Sequence, residues 1–229
     1  MELRLLTTDA ERRAFGRRLS EVRMMRGAGF SETQRSLIGE VHLAFGNLYG
    51  LYDDREPNSE MIGGFAMHDL AMFSQSYAKP DLTHLPPESV FECGELWAVA
   101  AGAGRLLRNG GAIMAGLLKA RALLVYPIFK PWNLSGAYKA FERAGDPIEW
   151  PYARTLDGGK IHVQAMVLEG EALAEAIRDA GQYGFEVLDD GKRLRFEMPF
   201  AISSKRIDGR RRAKQPVASP VIERKLVAA

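Results

Sequence analysis

One cysteine, Cys93, stands in 229 residues, so the chain cannot close an internal disulfide. A reducing, cytoplasmic setting is expected from that usage. No apolar run approaches the roughly 20 residues that a bilayer span needs. Met1-Glu2-Leu3-Arg4 lacks the charged-then-apolar order of a secretory signal. The four histidines, His42, His68, His84 and His162, follow no metal-ligand spacing, so no metal is expected. They read as structural residues, and a substrate contact by His68 or His84 beside the Pro-rich loop is the lesser alternative. No P-loop, Ser/His/Asp arrangement or internal repeat is present. Cys93 flanks an apolar strand and reads as a core thiol, since a nucleophile would need a lowered pKa and a nearby base.

Apolar content of 46% and charge of 26% suit a globular protein. One domain is expected over residues 1–203, followed by a basic tail over 204–229. That tail holds eight basic residues against Asp208 and Glu223, while the whole chain carries only +2. No aromatic residues interleave its charges, so nucleic acid is not the expected partner. A flexible extension, or an arm laid on a second copy in a homodimer, is the plainer reading.

The middle of the chain carries the strongest pattern. Glu95 to Val99 reads as a short apolar strand and Ala100 to Gly111 as a Gly- and Arg-rich loop. Ala112 to about Ala122 reads as a helix, and Leu123 to Phe129 as a second strand. A bend at Lys130-Pro131-Trp132-Asn133 leads into a last helix, Leu134 to Ala144, stopped by Gly145. Strands alternating with helices predict a βαβα unit with parallel strands. A Gly-bearing turn between strand and helix offers amide groups to an anion, so Gly110 and Gly111 are expected to cradle phosphate. That expectation requires both glycines to be open to solvent.

Thr8-Asp9-Ala10-Glu11 is a capping box that opens a helix over Asp9 to Arg26. Ser31 begins a short helix to about Gly39. Val41 to Tyr52 and Met61 to Leu70 pair as an antiparallel hairpin, with a bulge or close approach at Gly63-Gly64. Ala71 to Glu88 is irregular, broken by prolines. Pro147 to Trp150 and Lys160 to Leu168 read as strands, and Glu171 to Ala180 as a helix. Gly184 to Phe200 is a hairpin turning at Asp189-Asp190-Gly191. The fold class is therefore α/β, a mixed central sheet with helices on both faces.

In order and central motif the chain resembles the Gcn5-related N-acetyltransferase (GNAT) fold. That family has a strand, a pyrophosphate-binding loop, a helix, a strand, an Asn and a helix ending in Gly. The matching pieces are Glu95–Val99, Ala100–Gly111, Ala112–Ala122, Leu123–Phe129, Asn133 and Gly145, within roughly Val41 to Leu168. The family loop usually reads Arg/Gln-x-x-Gly-x-Gly/Ala. Arg108-Asn109-Gly110-Gly111-Ala112-Ile113 supplies the Arg and the first Gly, with Ile113 in the second small place. Phe141 stands where many members have the tyrosine that protonates the leaving thiolate, so Tyr138 is the substitute. A degenerate loop after a Glu-rich strand is also similar to the acyl-homoserine-lactone and N-acyl-amino-acid synthases.

The resemblance implies an acyl-CoA-dependent N-acyltransferase, with acetyl-CoA as default donor and a small-molecule amine as acceptor. One alternative is a long-chain N-acyl amino acid or autoinducer-type synthase using acyl carrier protein or acyl-CoA. The basic first helix and basic tail would suit an acidic acyl carrier protein. A second alternative is a catalytically silent module that binds an acyl ligand, which Phe141 favours. Arg105, Arg108, Gly110 and Gly111 would hold the pyrophosphate or pantetheine. Amides near Val99 would polarise the thioester carbonyl, and Asn133 would bond the pantetheine arm or cap the last helix. Glu92 and Glu95 are candidate general bases. Three apart in a regular strand, they are expected on opposite faces. Tyr138 would protonate the thiolate.

Overall fold

The computed structural model describes residues 1–25, 28–29, 46–53, 60–71, 81–129, 138–155 and 157–197. The expected Ser31 helix, His42, Trp132, Asn133, much of the Pro-rich loop and the basic tail lie outside the described residues.

Two sheets are present among the described residues. The large one has nine strands in spatial order β11-β12-β1-β3-β4-β5-β6-β10-β7. In chain order these are β1 (Glu2–Leu5), β3 (Asn47–Tyr52), β4 (Gly63–Asp69), β5 (Val90–Ala98), β6 (Ala122–Val125), β7 (Glu142–Arg143), β10 (Met166–Glu169), β11 (Phe185–Leu188) and β12 (Arg193–Phe196). The small sheet joins β2 (Ala28–Gly29), β8 (Ile148–Thr155) and β9 (Lys160–Val163). Among the described residues the α-helices are α1 (Asp9–Met25), α2 (Ala103–Leu117) and α3 (Gly170–Gly181).

The capping box forms as its letters require. Glu11 N–H donates to Thr8 Oγ1 at 3.3 Å, and Thr8 N–H donates to the Glu11 carboxylate at 3.1 Å. From that start Phe15, Leu19 and Val22 recur on one face of α1 and bury against Leu48, Ala66 and Trp97. Phe15 meets Trp97 edge-on at 5.8 Å. Gly64 permits this contact, because a Cβ there would lie 2.6 Å from Phe15 Cε2 and 2.6 Å from the Tyr49 carbonyl oxygen. The opposite face of the sheet packs on α2 and α3 through Leu3, Phe65, Met67, Phe91 and Cys93. Helices thus cover both faces of a mixed sheet, as expected.

Several boundaries differ from the sequence expectation. The central strand begins at Val90, five residues before Glu95, and α2 begins at Ala103, nine before Ala112. The strand expected over Leu123 to Phe129 is only Ala122–Val125. Residues 138–144 form a turn and then β7, where the end of a last helix was expected. The run Lys160 to Leu168 divides between two sheets. Gln164 marks the division: its N–H donates to the Pro127 carbonyl and its side chain to the Gly145 and Ala165 carbonyls. The Asp53 hairpin and the Asp189 hairpin both pair antiparallel. β1 was not anticipated. Its alternating letters Glu-Leu-Arg-Leu are a strand signal of only four residues. Glu2 there accepts two hydrogen bonds from Arg193, at 3.1 and 2.8 Å.

Candidate active site

The site begins where two parallel strands part. β5 and β6 pair from Val90↔Ala122 to Glu92↔Leu124 and no further. Val125 of β6 pairs only with Met166 of β10, while β5 runs on to Ala98. One edge of β5 therefore has no strand beside it from Cys93 onward among the described residues. On its other edge the register with β4 jumps from Gly94↔Ala66 to Trp97↔Gly64. That is three steps on β5 against two on β4, a bulge, and Glu95 at its centre has φ 53°. A non-glycine residue in that region is uncommon and marks a backbone held by its surroundings.

The bulge overturns the expected separation of the two glutamates. Glu92 stands opposite His68 of β4, with His68 Nε2 3.5 Å from its carboxylate. Both are buried, at 7% and 2% exposure. They share the sheet face of Val90 and Leu124. The extra residue returns Glu95 to that same face, where Arg23 of α1 binds its carboxylate. The Arg23 guanidinium lies 4.9 Å from the centre of the Trp150 ring on β8. Alternation places Glu92 and Glu95 apart only in a regular strand, and this strand is not regular.

Cys93 and Leu96 point to the opposite face, into a cavity of about 450 Å³. Its sheet wall is apolar, with Leu123, Val125 and Leu168, and Tyr138 also lines it, while Arg105, Arg108, Asn109, Lys139 and Asp179 make the rest of its lining polar. Phe141 meets Tyr138 edge-on at 5.6 Å, so the phenyl and the phenol share one wall. Burial pushes the Tyr138 phenol above its ordinary value; nearby Cys93 adds to this and Arg108 opposes it. Burial pushes the Cys93 thiol up to about 12, with Glu92 contributing. It is a core thiol, as its place in an apolar strand suggested, and its sulfur lines the cavity.

Gly110 and Gly111 are not in a turn. Both lie inside α2 and are buried. A Cβ on Gly110 would sit 2.7 Å from Leu3 Cδ2, and one on Gly111 would sit 3.4 Å from Cys93 Sγ. Gly110 lets the helix lie close to the sheet and Gly111 lines the cavity, and the amides of both lie inside the helix, not open to an anion. The open amides are eight residues earlier. Gly102 takes φ 85° as N-cap of α2, a left-handed turn that favours glycine. The bonds closing the first turn run from Ala103 to Ala100, and from Arg105 and Leu106 to Gly102. The amides of Ala101, Gly102 and Gly104 take no part in them. Arg108 reaches back over this turn, with Nη1 3.8 Å from a Cβ built on Gly104. Arg105 donates to the Tyr183 hydroxyl at the cavity rim. The letters Val99-Ala100-Ala101-Gly102-Ala103-Gly104 also carry the Gly-x-Gly of the family loop, with Val99 in the Arg/Gln place. That signal directly follows the strand and was the one to use.

The Val99 amide is likewise occupied, donating to the Ile62 carbonyl at 2.9 Å. The bulge residues Glu95 and Leu96 instead stand outside the residue-by-residue ladder with β4. The structure thus brings Glu92, Glu95, Arg105, Arg108 and Tyr138 around one open strand edge. It leaves Gly110 and Gly111 as packing residues, and Asn133 lies outside the described residues.

No protein-family model matches the chain, and no curated protein matches it significantly. Solved structures do. FeeM, an N-acyl amino acid synthase from uncultured soil microbes, superposes with a TM-score of 0.55 at 13% identity, over 80% of this chain and 99% of that one. A spermidine N-acetyltransferase from Vibrio cholerae, solved with CoA and spermine, gives 0.50 at 14% identity, over 75% and 96%. The chain has the GNAT fold.

Proposed function

We propose that this protein is an N-acyltransferase that moves an acyl chain longer than acetyl from a thioester carrier to an amine. The observation that carries the reading is the open edge of β5 with a cavity directly behind it whose sheet wall is apolar. At about 30 Å³ per water-sized group, a cavity of about 450 Å³ holds on the order of fifteen such groups. An acetyl group would fill a small part of it.

The residues fit a coenzyme A or acyl-carrier thioester. The left-handed turn at Gly102, the Gly104 amide and the N-terminus of α2 favour an anionic phosphate, and Arg108 adds a guanidinium over the same turn. From there the thioester lies along the β5 edge, with its acyl chain in the cavity. The bulge amides at Glu95 and Leu96 are placed to donate to the thioester oxygen as it gains charge. The amine approaches from the α1 face. Glu92 takes the proton of the attacking ammonium, with the His68 imidazole 3.5 Å from its carboxylate. The amine nitrogen forms its bond to the acyl carbon and gives its second proton to water, the carbon–sulfur bond breaks, the thiolate leaves, and a proton from water restores the phenol that protonates it. Tyr138 remains protonated because burial raises its pKa, so it has a proton to give that thiolate.

The test is mass spectrometry of acetyl-, octanoyl- and palmitoyl-CoA, and of octanoyl and palmitoyl carrier protein, each incubated with an amine panel. Consumption of the longer donors at ten times the acetyl rate or more is expected. Melting shifts with coenzyme A and no turnover of any donor would replace this reading with a silent acyl-binding module.

A further inference from the structure

We propose that Arg23 is a positioning residue for acyl transfer, acting through Glu95 to hold the bulge whose amides meet the thioester oxygen. This rests on the acyl-transfer reading of the same strand edge and adds the part that keeps its backbone donors in place. The register with β4 demands one extra residue on β5 between Gly94 and Trp97. It does not decide how that residue turns. A left-handed bulge position normally falls to glycine, because a side chain there crowds its own backbone. Glu95 takes it at φ 53°. A conformation that the residue itself disfavours persists only where its surroundings fix it.

Those surroundings come from α1. Arg23 binds the Glu95 carboxylate, and both side chains are largely buried, at 17% and 9% exposure. A charge-assisted bond so placed is little weakened by water or salt. The Arg23 guanidinium lies 4.9 Å from the centre of the Trp150 ring of β8, which limits how its fork can turn. Two residues on, Trp97 meets Phe15 of the same helix edge-on at 5.8 Å. α1 thus grips β5 on either side of Leu96, whose own side chain points the other way, into the cavity. With both flanks tied, the peptide groups of Glu95 and Leu96 keep one orientation, the one that a thioester oxygen at the strand edge meets. Release of Arg23 lets the left-handed residue relax toward ordinary strand geometry, and its amides swing away. Backbone donors are effective only while aimed at the place where charge develops. Arg23 touches no reacting atom in this scheme; it acts through Glu95.

The experiment compares Arg23→Gln and Arg23→Lys with the unaltered protein, using one donor the enzyme consumes. In Arg23→Gln kcat is expected to fall about 10- to 100-fold, with the affinity for coenzyme A held within threefold. Arg23→Lys, which keeps the charge, recovers part of the loss. Because Arg23→Gln leaves a buried carboxylate unpaired, a double variant, Arg23→Met with Glu95→Met, removes both charges together. It should melt close to the unaltered protein and still lose kcat as Arg23→Gln does. Val22→Ala trims the buried face of the same helix without touching the pair. Its melting temperature falls while kcat stays within twofold. A kcat loss below threefold in Arg23→Gln, full kcat in the double variant, or an equally steep loss in Val22→Ala would each overturn the proposal. Backbone chemical shifts of Glu95 and Leu96, read by NMR in Arg23→Gln, separate the two readings. Shifts that move from left-handed to strand values, with no donor ever consumed, keep the clamp and discard acyl transfer. Donor consumption with those shifts unchanged does the reverse.

Discussion

His68 Nε2 lies 3.5 Å from the Glu92 carboxylate across the β4–β5 pair, both side chains buried at the last residue where β5 still touches β6. A carboxylate at the base of the fork, next to an imidazole, is placed to take a proton from a group entering between the strands. Glu92→Gln keeps the shape and removes the proposed base. Its kcat for acyl transfer is expected to fall about 10²- to 10⁴-fold. Steady-state kinetics with a saturating acceptor checks this. A loss below threefold would move the base elsewhere.

The two glycine positions separate binding from packing. Gly102→Ala forces a Cβ onto φ 85° and costs about 1–2 kcal/mol. It also narrows the proposed phosphate turn, so coenzyme A affinity should drop at least tenfold. Gly110→Ala puts its Cβ 2.7 Å from the end of the Leu3 side chain. Overpacking of that kind costs about 1–3 kcal/mol, while the affinity holds. Calorimetry with coenzyme A and melting curves on both variants read the two effects apart.

Chain length should respond to the cavity wall. Gly111 lines it, and a Cβ there would rest 3.4 Å from Cys93 Sγ, ordinary contact distance. Gly111→Leu therefore extends into the cavity. The ratio of palmitoyl to octanoyl transfer is expected to fall tenfold or more, measured by competition between the two donors.

Cys93 should be chemically quiet. Its thiol is raised from 9.0 to about 12. Three units lower its thiolate fraction about 10³-fold near pH 8, and alkylation should slow at least that much relative to the unfolded chain. The folded protein keeps a proton that the unfolded chain surrenders above about pH 9. Stability is thus intact below that pH and declines as pH climbs toward 12. Cys93→Ala should be less stable at pH 7 but show a flatter melting-temperature curve from pH 8.5 to 10.5.

The general architecture was legible from periodicity and turn letters. The capping box at Thr8, the polar turn after Tyr52, and Asp189-Asp190-Gly191 each produced the expected element, because each is a local signal. The site was less legible for a specific reason. Gly110 and Gly111 look like loop residues by composition, yet both lie inside α2, and Gly110 is needed there to approach Leu3, a contact distant in sequence. Gly102 was readable: a Gly-x-Gly directly after an apolar strand. The bulge at Glu95 had no letter to announce it, since its left-handed backbone is imposed by register with β4. The partnership of Arg23 with Glu95 spans 72 positions, and periodicity cannot report it.

Arg193 grips Glu2, and β12 lies against β1. During synthesis the N-terminal strand can pair early with β3, but its other side waits for residues near position 195 to leave the ribosome. At roughly 5–20 residues per second that interval is about 10–40 seconds. For that time a nascent strand keeps a bare flank that invites wrong partners. Production of this protein should therefore depend on chaperone supply and on translation speed more than its mature form would suggest.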